Sequence, residues 1–193
     1  MVMTVRGPVP ASSLGVFLPH EHLFSNFGEP PAEPPVYGER ALLEAVEPYV
    51  WSIRKLGCGA IADATAAYFG RHPRLLRLIS EKTGLHILTN TGYYGAAKDQ
   101  YVPAHAFQEP ASRLAERWVG EWEKGIGDTG IKPGFIKIGV DAGALSEIDR
   151  KLVAAAARAH RQSGLTRKAK RSGDCEAKAR LGCARLLGGS IAR

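Results

Sequence analysis

The chain has 193 residues, 45% hydrophobic and 23% charged, which is enough apolar material for one domain with a substantial core. Its net charge of +7 suggests nucleic acid until it is divided: Thr166 to Arg193 holds 8 Lys/Arg against 2 Asp/Glu, so the basicity belongs to one terminal stretch, without interleaved aromatics or a nucleic-acid motif. No apolar run has the length of a membrane span or signal peptide, which predicts a cytoplasmic protein with no membrane partner; Cys58, Cys175 and Cys183, with no C-x-x-C spacing, argue against a disulfide framework or a thiolate zinc cage.

The first predicted strand lies in "GVFLPHEHLF", Gly15 to Phe24. In an extended strand, side chains at i and i+2 share a face, so His20 and His22 aim at one point while Glu21 faces away. Two neutral imidazoles converging from a stiff backbone form a metal-ligand arrangement; the plain alternative is a strand end whose histidines bond water or backbone. A Pro/Gly-rich segment, "SNFGEPPAEPPVYG", follows and reads as a surface rim loop.

Four helix patterns then alternate with apolar runs. The helices are "ERALLEAVEPYVWSIRKL", "PRLLRLISEKT", "PASRLAERWVGEWEKGI" and "SEIDRKLVAAAARAHRQ". Pro73 and Pro110 suit a first turn, Ser146 with Asp149 suits a capping box, and Pro48 predicts a kink or a split in the first helix. The strands follow glycines in "RKLGCGAIADAT", "SEKTGLHILTNT" and "GIKPGFIKIGV", and "RQSGLT" ends the last helix. Such alternation predicts right-handed βαβ units and a parallel sheet. No G-x-G-x-x-G or P-loop follows the first strand, which favours a (β/α)8 TIM-barrel type over a nucleotide-binding sheet. In barrels the C-terminal strand ends hold the chemistry, and His20 and His22 fall at such an end. After the third strand, Tyr93 and Tyr94 in "TNTGYYG" are candidates to wall an apolar substrate pocket or simply to pack a rim loop.

Lys137 interrupts the apolar run "GFIKIGV" and shares a face with Phe135 and Gly139, opposite Ile136 and Ile138. A buried ammonium is costly, so it must find a partner, lose its proton or be chemically changed; the plain alternative is a lysine at a strand end reaching solvent.

"GVFLPHEHLF", "GIGDTGIKPGFIKIG" and "AAAARAHRQSGL", in this order, resemble the phosphotriesterase family of the amidohydrolase superfamily over roughly residues 10 to 165, and "ILTNTGYYG" is similar to its phosphotriesterase-related, lactonase-like branch. The resemblance implies a (β/α)8 barrel with two divalent ions, most often zinc. His20 and His22 would ligate one ion, and Lys137, carbamylated by carbon dioxide, would bridge both. A metal-activated hydroxide would then attack a phosphotriester, ester or lactone bond of a small molecule.

The family also uses histidines at strands five and six and an aspartate at strand eight. Here "QSGL" leads into "TRKAKRSGDCEAKARLGCARLLGGSIAR", with no histidine after His160. Residues 1 to 165 are therefore expected to form the N-terminal half of a barrel, about four β/α units. Residues 166 to 193 are expected to be a basic tail outside the family pattern, from truncation or a shifted reading frame. The leading expectation is a hydrolase that is poorly active as this chain. The alternative is a noncatalytic half-barrel that binds metal weakly or completes itself with another chain, including a second copy.

Overall fold

The computed structural model describes residues 1–171. It begins with an antiparallel hairpin, β1 (Val2–Thr4) and β2 (Gly7–Val9), and a 3-10 turn at Ala11–Ser13. Strand and helix then alternate through β3 (Val16–Glu21), α1 (Glu39–Lys55), β4 (Cys58–Asp63), α2 (Pro73–Thr83), β5 (His86–Leu88) and β6 (Asn90–Thr91). The run closes with α3 (Ala104–Gln108), α4 (Ala111–Lys124), β7 (Phe135–Val140), α5 (Glu147–Ser163) and β8 (Thr166–Arg171).

The strands pair in parallel in the orders β3-β4-β5 and β6-β7-β8. Thr89 alone separates β5 from β6, so the two triplets are successive stretches of one path, and its carbonyl still accepts the Gly134 N–H at 2.8 Å. Five neighbouring parallel strand paths with helices between them form the α/β arrangement of a barrel, in the order the alternation predicts. The hairpin closes against the start of the third path, where the Val5 N–H donates to the Ile87 carbonyl at 2.8 Å.

Helix boundaries follow their chemistry. His72 caps α2 by accepting the Leu75 N–H at its Nδ1, with Pro73 at the first position, and Ser146 caps α5 by accepting the Asp149 N–H at 3.0 Å. Gly84 and Gly164 end these helices in the left-handed conformation. Pro48 does not split α1. It sits on the exposed side of a helix assigned unbroken from Glu39 to Lys55, where carbonyls without an intrahelical donor can turn to water.

Helix-facing strand residues make the core. Ile61 and Ile87 pack with Val50, Leu75, Leu76 and Ile79 under α1 and α2. Ile136 and Ile138 pack with Leu114, Trp118, Leu152 and Ala156 under α4 and α5. This leaves Phe135, Lys137 and Gly139 on the inward face of β7, as its period of two requires.

The stretch "TRKAKR", with no apolar strand signature, nonetheless pairs with β7 along its whole length, Phe135 opposite Thr166 through Val140 opposite Arg171. The existing edge of β7 supplies the ladder that the side chains do not ask for. Lys168 stands in register with Lys137, on the inward side, and its amine reaches across to the Pro19 carbonyl at the end of β3. Among the described residues, no helix is long and apolar enough to cross a membrane.

Candidate metal centre

His20 and His22 sit at the C-terminal end of β3, with ring centroids 5.3 Å apart and planes tilted by 59°. A register irregularity between Leu18 and Glu21 loosens the pairing with β4 just where the rings project. His22 Nδ1 lies 2.9 Å from Thr65 Oγ1, and its ring meets Phe69 edge-on at 6.1 Å. His20 Nε2 is buried and has no hydrogen-bond partner.

Both imidazoles are held neutral. Burial is the largest cause for each. For His20, the charges of Lys168, His22, Lys170 and Lys137 add to it and bring its pKa down to about 3. For His22, Lys137, Lys170 and Lys168 add to burial, and its pKa falls to about 4. Three lysines on β7 and β8 therefore act on one histidine pair.

Lys137 is 1% exposed; its Nζ donates to the Ile138 carbonyl at 3.0 Å and stands 5.3 Å from the centroid of the Tyr94 ring. Tyr94 in turn stacks on Phe69 at 4.8 Å and 16°. Two glycines permit this approach. A Cβ on Gly92, whose φ is +119°, would lie 2.1 Å from the Lys137 carbonyl oxygen, and one on Gly139 would lie 2.3 Å from the Tyr94 ring. Tyr93 points the other way. It lies in the helix-side cluster with Trp118, Ile136 and Ile138, and its hydroxyl meets His105 Nε2 at 3.0 Å. The two tyrosines thus separate, and only Tyr94 stands beside Lys137.

The other histidines have structural partners: His72 caps α2, Arg6 meets His86 Nδ1 at 3.4 Å, His105 meets Tyr93, and His160 Nδ1 lies 2.8 Å from the Leu165 carbonyl. Below the pair, the buried Asp63 accepts the Leu23 N–H at 2.9 Å and the Thr65 N–H at 3.0 Å. Burial nevertheless brings its pKa up to about 6. Sequence reasoning passed over Thr65 and Asp63; the available signal was "ADAT" at the end of the second strand, the level at which His20 and His22 end the first.

Among the described residues, no three His, Cys, Asp or Glu side chains are grouped to hold a metal. The donors that are present still fit one side of such a site. Two neutral imidazoles, one with an orphaned buried nitrogen, are the protonation state and atom type that zinc accepts.

Comparison with known proteins agrees with this architecture. The profile of the Phosphotriesterase family matches residues 1–181. A phosphotriesterase homology protein of Mycobacterium tuberculosis is 31% identical over 169 residues, 83% of this chain and 51% of that protein. An N-acetyltaurine hydrolase of Rattus norvegicus is 29% identical over 192 residues, 84% of this chain and 54% of its own length. The crystal structure of a substituted PTE-like lactonase from Deinococcus radiodurans superposes with a TM-score of 0.77 at 31% identity, over 94% of this chain and 60% of that one. The chain spans about half the length of these relatives.

Proposed function

This chain belongs to the phosphotriesterase family, and we propose that it carries the N-terminal half of a metal-dependent hydrolase centre. His20 and His22 would hold a divalent ion, with zinc the best match to two neutral imidazoles, and Lys137 would join the site as a carbamate. The observation that carries this reading is the half-buried, uncharged histidine pair at the end of β3, whose pKa values the charge of Lys137 also lowers.

A divalent ion bound there would acidify water and polarise a phosphoryl or carbonyl oxygen. The protein's own part is to present two lone pairs at no protonation cost and to keep a lysine in a dry strand, where carbamylation replaces a costly cation by an anion. Tyr94 and Phe69 would give an aromatic wall for the apolar part of a small substrate; Tyr93, the other pocket residue expected from the sequence, would act by packing behind them.

Phosphotriesters, esters and lactones are the proposed substrate classes, and the rat relative's name adds an amide. A cytoplasmic setting belongs with this reading. Two neutral ligands and one lysine make an incomplete donor set, so residues 1–193 by themselves are proposed to turn over substrate only weakly. The inward lysines of β8 favour a second reading in part: a noncatalytic half-barrel in which Lys168 and Lys170 weaken cation binding, or which another chain, including a second copy, completes.

The test is to purify residues 1–193, add zinc, cobalt or manganese with bicarbonate, and follow both metal uptake and turnover of phosphotriesters and lactones, beside His20→Ala and His22→Ala. Uptake lost in both variants, with turnover near background, is the expected result. Uptake unaffected by either substitution would remove the histidine site, and robust turnover would remove the incomplete-site reading.

A further inference from the structure

His22 offers two ring nitrogens, and the surroundings of one of them decide what the other can do. Nδ1 lies 2.9 Å from Thr65 Oγ1, and Thr65 is fully buried. A hydroxyl has one hydrogen to give. That of Thr65 is directed to the Phe24 carbonyl, 3.0 Å away, which can only accept. The other polar neighbour of the hydroxyl, the Asp63 carboxylate, is likewise an acceptor: it takes the backbone N–H groups of Leu23 and Thr65 and a hydrogen bond from the Thr65 side chain, so the Phe24 carbonyl and Asp63 between them claim the one hydrogen. Toward the imidazole the hydroxyl therefore has only a lone pair left.

We infer that Thr65 is a positioning residue: it accepts the Nδ1–H of His22, fixes that tautomer and ring orientation, and leaves Nε2 as the nitrogen with a lone pair to donate. The purpose of this arrangement rests on the metal reading above; its geometry does not. His20 has the same atom in reserve, since its Nε2 is buried without a partner. Both rings are then prepared to bind an ion through the same nitrogen.

Thr65 cannot easily turn away. Its N–H donates to Asp63 Oδ1 at 3.0 Å, and its carbonyl accepts Asn90 Nδ2 at 2.9 Å. Asn90 Nδ2 also bonds the Asp63 carbonyl at 3.0 Å, and the Asn90 carbonyl accepts the buried Arg71 at 2.8 Å. The hydroxyl is thus held by the backbone and by a side chain from the third strand path. Such support behind a ligand histidine is what sets its tautomer and basicity.

The experiment is a long-range proton–nitrogen correlation spectrum of the imidazoles in the full, metal-free chain near neutral pH, repeated for Thr65→Val and Thr65→Ser. The expected spectrum has His22 protonated on Nδ1 in the original and Ser chains, and a mixed or Nε2-protonated ring in the Val chain. Zinc affinity by chelator competition is expected to fall about 10- to 100-fold in Thr65→Val and to recover in Thr65→Ser. An Nε2-protonated His22 in the unsubstituted chain, which needs no variant to fold, would overturn the inference, as would an unchanged tautomer in Thr65→Val. A Thr65-dependent Nδ1–H tautomer in a chain that takes up no zinc supports the positioning role and removes the metal reading. Zinc uptake by an Nε2-protonated ring does the reverse.

Discussion

Replacing Arg71 by Leu should destabilise the fold strongly while leaving the histidine pair in place. The guanidinium is 2% exposed and ties together three elements that are distant in sequence. Nη1 donates to Glu121 Oε2 on α4 and to the Asn90 carbonyl on β6, both at 2.8 Å; Nη2 donates to Glu121 Oε1 at 2.8 Å and to Glu33 Oε1, in the rim loop after β3, at 2.9 Å. Removing one partner of a buried ionic group costs about 3 to 5 kcal/mol, because charges and dipoles are left without compensation. The low end applies here, since the Glu33 and Glu121 side chains keep 19% and 25% exposure and can rehydrate, whereas the Asn90 carbonyl cannot. A loss of about 3 kcal/mol corresponds to a fall in Tm of roughly 6 to 12 °C for a chain of this size. Urea unfolding followed by circular dichroism measures it, and the double variant Arg71→Leu with Glu121→Leu should recover part of the loss, because one stranded charge is gone. A loss below about 1 kcal/mol for the single variant would refute the view that this triad holds the rim loop to the third strand path.

Further outcomes follow from other contacts. The His22 ring of the metal-free chain should titrate at about 4, not near 6.5; because the unfolded chain takes up that proton at the higher pH, stability should fall as pH drops from 6.5 toward 4, and an NMR midpoint near 6.5 would contradict the burial of the ring. Gly92→Ala, which puts a Cβ 2.1 Å from the Lys137 carbonyl oxygen at a φ of +119°, should cost more than about 2 kcal/mol in a urea titration, and a neutral result would mean that the Gly92 backbone does not lie against Lys137 on β7. Trp118→Ala, emptying the centre of the cluster under α4 and α5, should cost about 3 to 5 kcal/mol by the same assay. Bicarbonate should raise zinc affinity in the original chain and not in Lys137→Met; equal affinities with and without it would remove the carbamate.

The strands β4, β5 and β7 were legible because burial on both faces writes itself as apolar runs after glycine stops, and α2 and α5 because their caps are local chemistry. Period two placed Lys137 on the face of Phe135 and Gly139, whereas for His20 and His22 the register irregularity between Leu18 and Glu21, which no alternation predicts, also sets where the rings go. Three features were not legible. "TRKAKR" forms a strand because β7 offers it an edge, a non-local cause that no propensity records. Tyr93 and Tyr94 are adjacent and look equivalent, yet alternation sends one to Trp118 and the other to Lys137, and only the close approach at Gly92 and Gly139 tells them apart. Thr65 lies 43 residues from His22 and meets it only through the pairing of β3 with β4.

The charge around the histidine pair explains why a lysine that becomes an anion would matter more here than in an ordinary binuclear site. Two neutral imidazoles contribute no charge, and Lys137, Lys168 and Lys170 all bear on them with the same sign. A divalent cation entering such a place meets repulsion from each ammonium, of the order of several kcal/mol per pair at short range and intermediate dielectric. Carbamylation of Lys137 would change its charge by two units, turning the most buried of those repulsions into an attraction. Lys168, whose amine donates to the Pro19 carbonyl, would remain a cation and leave a residual penalty at the mouth. Metal uptake and carbamate formation would then be coupled through Lys137 and reciprocal in free energy, each raising the affinity for the other by one factor. That factor has to offset the penalty from β8 before the histidine pair can act as a metal site.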